Sequence, residues 1–227
     1  MDYTYSYFIA LVPLILIWIS LYLVRIDTRK EMRIMSFVFG GSAFIVQPIY
    51  LLDWWRPLTI TGTALGLEDF IFGACVGGVA AAVYEIIFSR RLIRFSNELA
   101  SVYILYASLA SCGALFFSAV AYGVSSPYAS FIALLLPVLF IWVHRMDLIQ
   151  NSLSSGLLTA LAVVPSFILV EMLTPGWVLR HWDSNALLAT GGLIGSVPLG
   201  DVLWTFLVGC FVGPLYEYSY GLRGRSR

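Results

Sequence analysis

The sequence predicts an all-α integral membrane protein: seven transmembrane helices in a parallel 3+1+3 repeat, N-terminus outside and C-terminus cytoplasmic. Three observations predict it. Hydrophobic residues make up 60% of the chain and charged residues 11%, with a mean hydropathy of +0.88. Apolar runs near the roughly 20 residues that a bilayer requires fall at 7–24, 34–52, 67–88, 99–122, 128–145, 151–173 and 198–221. The basic residues are sorted by loop: Arg25, Arg29, Lys30, Arg33, Arg90, Arg91, Arg94, Arg145, Arg223, Arg225 and Arg227 on one side, against Arg56 and Arg180 on the other. The positive-inside rule fixes the orientation from that asymmetry.

Taken in order, the first span follows MDYTYSYF, which lacks a basic n-region and so does not read as a cleaved signal peptide. Pro48, Pro137 and Pro165 fall inside spans, where neighbouring helices can satisfy the freed carbonyls. Trp54, Trp55, Trp177 and Trp182 lie in the outer loops and read as an interfacial aromatic belt. Cys75, Cys112 and Cys210 all lie within apolar spans and read as small core residues. The two histidines, His144 and His181, sit at opposite faces, which leaves no histidine-based metal cage.

The third and seventh spans repeat each other. Asp69, Gly73, Gly77, Ala81 and Glu85 form one four-residue ladder, and Asp201, Thr205, Gly209, Gly213 and Glu217 form the other. Pro13 to Trp18 in the first span matches Pro137 to Trp142 in the fifth, and each is followed by an Arg-x-Asp, Arg25 to Asp27 and Arg145 to Asp147. Residues 1–98 therefore read as a first three-helix repeat, 99–127 as a linker helix and 128–227 as a second repeat. Repeats of this kind build functional sites where the halves meet. The ladder glycines also serve close helix packing.

Ionisable groups inside a membrane are costly and point to function. Sixteen residues of helix span about 24 Å, so Asp69 and Glu85 cannot act on one bond, and the acids divide between the two faces. Near the outer face are Asp53, Glu68, Asp69, Glu171, Asp183 and Asp201. Asp53 and Asp183 read equally as helix caps or solvated loop acids. Near the inner face, Glu85 and Glu217 read equally as interfacial acids paired with Arg90, Arg91 and Arg223. Desolvation favours a carboxyl's neutral form, and a retained proton is what a general acid needs. An apolar site with carboxylic acids, aromatics and no metal suits protonation of an alkene. The ring faces of Tyr50, Trp54, Trp55, Trp182 and Trp204 would steady the resulting cation.

The stretches Asp53-Trp54-Trp55 and Gly66-Leu67-Glu68-Asp69-Phe70-Ile71-Phe72 resemble the acid-rich motif of the lycopene cyclase domain family. Val197 to Trp204 resembles its second copy. Members of that family occur as two three-helix subunits or as one fused chain, and this chain resembles the fused form. Gly66 stands where the first motif usually has proline and Gly200 where the second usually has glutamate, which leaves room for a different end group or substrate. The resemblance implies an isomerase that closes the end group of a linear carotenoid without redox change and without a cofactor. A proton adds to the terminal double bond, an internal alkene attacks the cation, and a proton leaves. It implies Glu68 and Asp69 as proton donor and partner, with Asp201 and Glu171 tuning or accepting the returning proton. Asp53, Trp54, Trp55, Trp204, Glu85 and Glu217 would contact the substrate. That substrate would be a polyene entering from membrane lipid. The expected location is the cell membrane, multi-pass, with no nucleic-acid partner; association with other carotenoid-pathway enzymes is compatible.

The rival from another class is a small-solute transporter of the SWEET type, which shares the parallel 3+1+3 plan. The middles of the third and seventh spans, Ala74 to Gly77 and Leu207 to Cys210, offer almost no polar side chains for a sugar. A retinal protein needs a lysine in its last span, and the only lysine is Lys30. Prenyl transfer needs paired Asp-rich motifs for magnesium and diphosphate, and none occurs. A purely structural subunit leaves the duplicated acids without a purpose.

Overall fold

The structure, a computed structural model, describes residues 3–94 and 101–226. The expected boundary between the first repeat and the linker, at 98/99, lies outside the described residues, as do the side chain of Cys112 and Arg227. Seven long helices follow one another: α1 Ser6–Val24, α2 Arg29–Asp53, α3 Leu67–Ile87, α4 Ser101–Ala121, α5 Ser126–His144, α6 Ile149–Leu173 and α9 Leu199–Val212, the last continued by α10 Leu215–Tyr220. Among the described residues, six of these segments are long and apolar enough to cross a membrane; α4, 21 residues long, is the further helix of comparable length. Phe37, Ile45, Val143 and Met172 stand exposed on the flanks, as lipid-facing residues do.

Prolines sit inside four helices and at one interruption. Pro13, Pro48, Pro137 and Pro165 all lie within helices. The expected span 198–221 is present as one segment, Leu199–Tyr220, with a turn inside it: Pro214 has no N–H to continue the ladder, so α9 ends at Val212 and α10 restarts at Leu215.

Helix α3 packs along α2, and α9 packs along α6 in the same way. The glycine ladders make this close approach possible. A Cβ on Gly73 would stand 2.5 Å from the carbonyl oxygen of Phe39, and one on Gly209 would stand 2.7 Å from that of Ser155. Matching bonds recur in each half. The Trp18 indole donates to Ser36 Oγ at 2.9 Å, and the Trp142 indole donates to Ser152 Oγ at 2.9 Å. Arg25 pairs with Asp27, and Arg145 with Asp147.

The loops hold more order than their composition announces. Between α6 and α9 lie two short helices, α7 Trp177–His181 and α8 Ser184–Ala189, and a two-residue hairpin, β2 Leu193–Ile194 with β3 Val197–Pro198. At the opposite end of the bundle, β1 Arg90–Arg94 pairs antiparallel with β4 Leu222–Ser226. This ribbon ties the end of α3 to the C-terminal segment.

The tryptophans correct an expectation. Trp54, Trp177 and Trp182 are buried rather than arrayed at a lipid interface, and with Trp55 they pack together over one end of the bundle. The Trp177 and Trp182 rings meet edge to face at 5.0 Å, and Trp55 and Trp182 also lie 5.0 Å apart. Edge-to-face packing and burial outweigh partition to the headgroups here. The free cysteines Cys75 and Cys210 are buried core residues.

Candidate active site

Beneath the tryptophan cluster lies a cavity of about 300 Å³, lined almost wholly by apolar side chains from α1, α2, α3, α5, α6 and α9, with α4 along one side. It runs from the level of Asp69 and Asp201 down to Phe211 and Leu215, about 20 Å along α9 at 1.5 Å per residue.

Asp69 and Asp201, the ladder acids that open α3 and α9, both line this cavity. Asp69 Oδ1 accepts from the Tyr7 hydroxyl at 3.1 Å, and Oδ2 accepts from the Gly66 N–H at 2.8 Å. The second bond exists because Asp69 is the third residue of α3 and reaches back over the helix start, one half of a capping box. Asp201 Oδ2 accepts from the Trp182 indole at 2.8 Å, and the Trp54 indole is a second hydrogen-bonding neighbour. Trp54, Trp55 and Trp204 also line the cavity. Trp204 stacks on Phe72 at 6.1 Å and donates to Tyr50 Oη at 3.1 Å.

The other acids are engaged elsewhere, and none of them lines the cavity. Glu68, buried beside Asp69, turns the other way and accepts from the Ile60 N–H at 2.7 Å, holding the loop before α3. Glu171 accepts from the N–H groups of Gly176 and Val178 at 2.8 and 2.6 Å, capping the start of α7. Asp53 accepts from the Ser126 N–H with both oxygens, at 3.1 and 3.0 Å, which ties the end of α2 to the start of α5. Asp183 caps α8.

Glu85 and Glu217 meet at the far end of the bundle, both fully buried. Asn151 Nδ2 donates to Glu85 at 3.0 Å and to Glu217 at 2.5 Å, which brings the two carboxyls together. Asn151 holds both acids, where the sequence suggested Arg90, Arg91 and Arg223. A third glutamate, Glu31 in the first turn of α2, is buried within electrostatic reach of both, and neither of its oxygens has a hydrogen-bond partner.

Sequence reasoning passed over Tyr7, Trp177, Gln47 and Ser166 in the cavity wall, and Glu31 and Asn151 at the far end. Asn151 carried a signal: with Ser155 and Thr159 it forms a small-polar ladder on α6 at the same spacing as the glycines it faces. Tyr7 carried none beyond a hydroxyl in the first turn of an apolar helix.

Residues 125–219 match the family model described as lycopene cyclase. Over that stretch the chain is similar to a lycopene cyclase domain. The match to the lycopene cyclase model runs from the start of α5 into α10, and so takes in Asp201, Trp182 and Trp204 on the cavity and Glu217 beyond it. No curated protein and no solved structure matches the chain.

Proposed function

We propose that this chain is a membrane carotenoid cyclase of the isomerase class, acting by acid-catalysed ring closure on a linear polyene drawn from the bilayer. The observation that carries the reading is that Asp69 and Asp201, from matching places on α3 and α9, line one long apolar cavity roofed by aromatic rings. A multi-pass arrangement of seven spans in a parallel 3+1+3 plan, N-terminus outside, in the cell membrane, agrees with the loop charges and with the paired Trp–Ser and Arg–Asp bonds of the two halves. On this reading the Asp69 end is the outer one.

The two acids divide the work. Asp69 accepts at both oxygens, the arrangement that suits a carboxylate. It faces the cation and takes the proton back. Asp201, beside the Trp182 and Trp54 indoles, delivers the proton to the terminal alkene carbon. The internal alkene then closes the ring onto the cationic carbon, and loss of a neighbouring proton restores the double bond, so that substrate and product are isomers. The faces of Trp54, Trp55 and Trp204 attract the transient positive charge, and the apolar wall excludes water that would capture it. Glu68 and Glu171 support the loops around the acids.

Expression of the chain in a bacterial host that accumulates lycopene tests this reading by pigment analysis. A ring-bearing isomer of unchanged mass is expected. Unchanged acyclic pigment, in that host and in one supplying oxygenated acyclic polyenes, with the protein present in the membrane, overturns it.

A further inference from the structure

Most polar groups within the bundle find partners close by. The Thr159 hydroxyl returns to the Ser155 carbonyl at 2.6 Å, that of Thr205 to the Asp201 carbonyl at 2.7 Å, and that of Ser130 to the Ser126 carbonyl at 2.8 Å. Three groups in the cavity wall do not. The Gln47 Nε2, the Ser166 Oγ and the Trp177 Nε1 are buried, belong to residues 4%, 5% and 2% exposed, and have no hydrogen-bond partner. All three residues line the cavity that holds Asp69 and Asp201.

Their positions fit one purpose. Gln47 lies six residues before the end of α2 and Ser166 seven before the end of α6, so both sit about 10 Å in from the Asp69 end. Trp177 lies nearer the acids: its ring is 6.4 Å from that of Tyr7, whose hydroxyl is on Asp69. The Gln47 amide and the Trp177 indole are donors, and the Ser166 hydroxyl can donate or accept. A wall built for a pure hydrocarbon has no use for them, because an unpaired buried donor costs free energy in an apolar site.

We infer that the polyene accepted by this cavity carries an oxygen, as a hydroxyl or carbonyl close to the end group that reacts, and that Gln47, Ser166 and Trp177 recognise it. The inference rests on the cyclase reading and narrows it to oxygen-bearing acyclic polyenes. Recognition by a buried polar site is discriminating, because a substrate that lacks the oxygen leaves the site's donors unpaired.

The test compares two substrates on the full-length protein in membranes: lycopene, and an acyclic polyene of the same length with one hydroxyl or keto oxygen near its end. Cyclised product is read by chromatography and mass. Wild type is expected to favour the oxygenated polyene in kcat/KM by tenfold or more. Gln47→Leu and Ser166→Ala should each cut that preference at least threefold. Ser166→Ala only removes an atom, so it keeps the test open if Gln47→Leu fails to fold. Equal use of both substrates by wild type, or a preference unchanged in both variants, overturns the inference and leaves the cyclase reading standing. Cyclisation of neither substrate overturns both.

Discussion

At one end of the bundle, Asp69 and Asp201 each have their own donors and face an apolar cavity. At the other end, Glu85 and Glu217 share a single amide, that of Asn151, with Glu31 within electrostatic reach. Asp69 and the three glutamates are buried and Asp201 is partly so, and each group draws acids from both halves of the chain. The difference lies in what the surroundings leave open. Donors that orient a carboxyl toward empty apolar volume prepare it to meet another molecule. Carboxyls that meet each other through an amide hold helices together, and they sit beside a polar recess formed by Arg25, Asp27, Thr28 and Arg91. Burial alone therefore does not mark a reactive acid; what the acid faces does.

The comparison breaks most directly on activity. Asp201→Asn and Asp69→Asn each keep the shape and remove the proton chemistry. Each should lower turnover by about 10³-fold, while Glu85→Gln and Glu217→Gln keep turnover within about threefold of wild type. A comparable loss from the glutamine variants would join the two clusters into one catalytic system.

Stability is the second way to test it, and here the order reverses. Asn151→Ala strips the shared donor from Glu85 and Glu217 and should cost about 1–3 kcal/mol, read as a fall in thermal or detergent-induced unfolding midpoint. Asp201→Asn, which keeps an acceptor for the Trp182 indole, should change the midpoint far less. An unmoved midpoint in Asn151→Ala would deny the cluster its role as a latch.

A smaller effect concerns pH and the layer that roofs the cavity. His181 is buried at the end of α7, outside the spans, and burial pushes its imidazole below the usual value. The unfolded chain therefore takes up its proton first as pH falls. The stability of this layer should be full above about pH 6.5 and decline below it, until the folded imidazole is also protonated. His181→Gln should flatten that part of the profile of unfolding temperature against pH; an identical profile would exclude His181 as its source.

Much of the fold was legible because hydropathy and prolines act locally. The ladders at 69–85 and 201–217 announced both their helices and their close packing. The site was only partly legible. Glu68 and Asp69 are adjacent, and successive helical residues diverge by about 100°; sequence could not say which one looks inward, and the turn at Ile60 takes Glu68 away. The tryptophans read as a lipid belt because hydropathy does not distinguish burial in lipid from burial against other rings. The β1–β4 ribbon was invisible because Arg-rich strands show no alternation of apolar and polar residues. Glu31 went unremarked, since nothing nearby in sequence reveals that two other glutamates lie within reach of it.

The bond from Asp53 to Ser126 and the ribbon between Arg90–Arg94 and Leu222–Ser226 join the two halves at opposite ends of the bundle. Neither contact runs through α4. If the peptide chain were opened in the turn at 122–125, the pieces would still carry complementary faces at both ends. A gene for such a protein is open to fission into two cistrons, or to fusion from two, without any new surface having to evolve first.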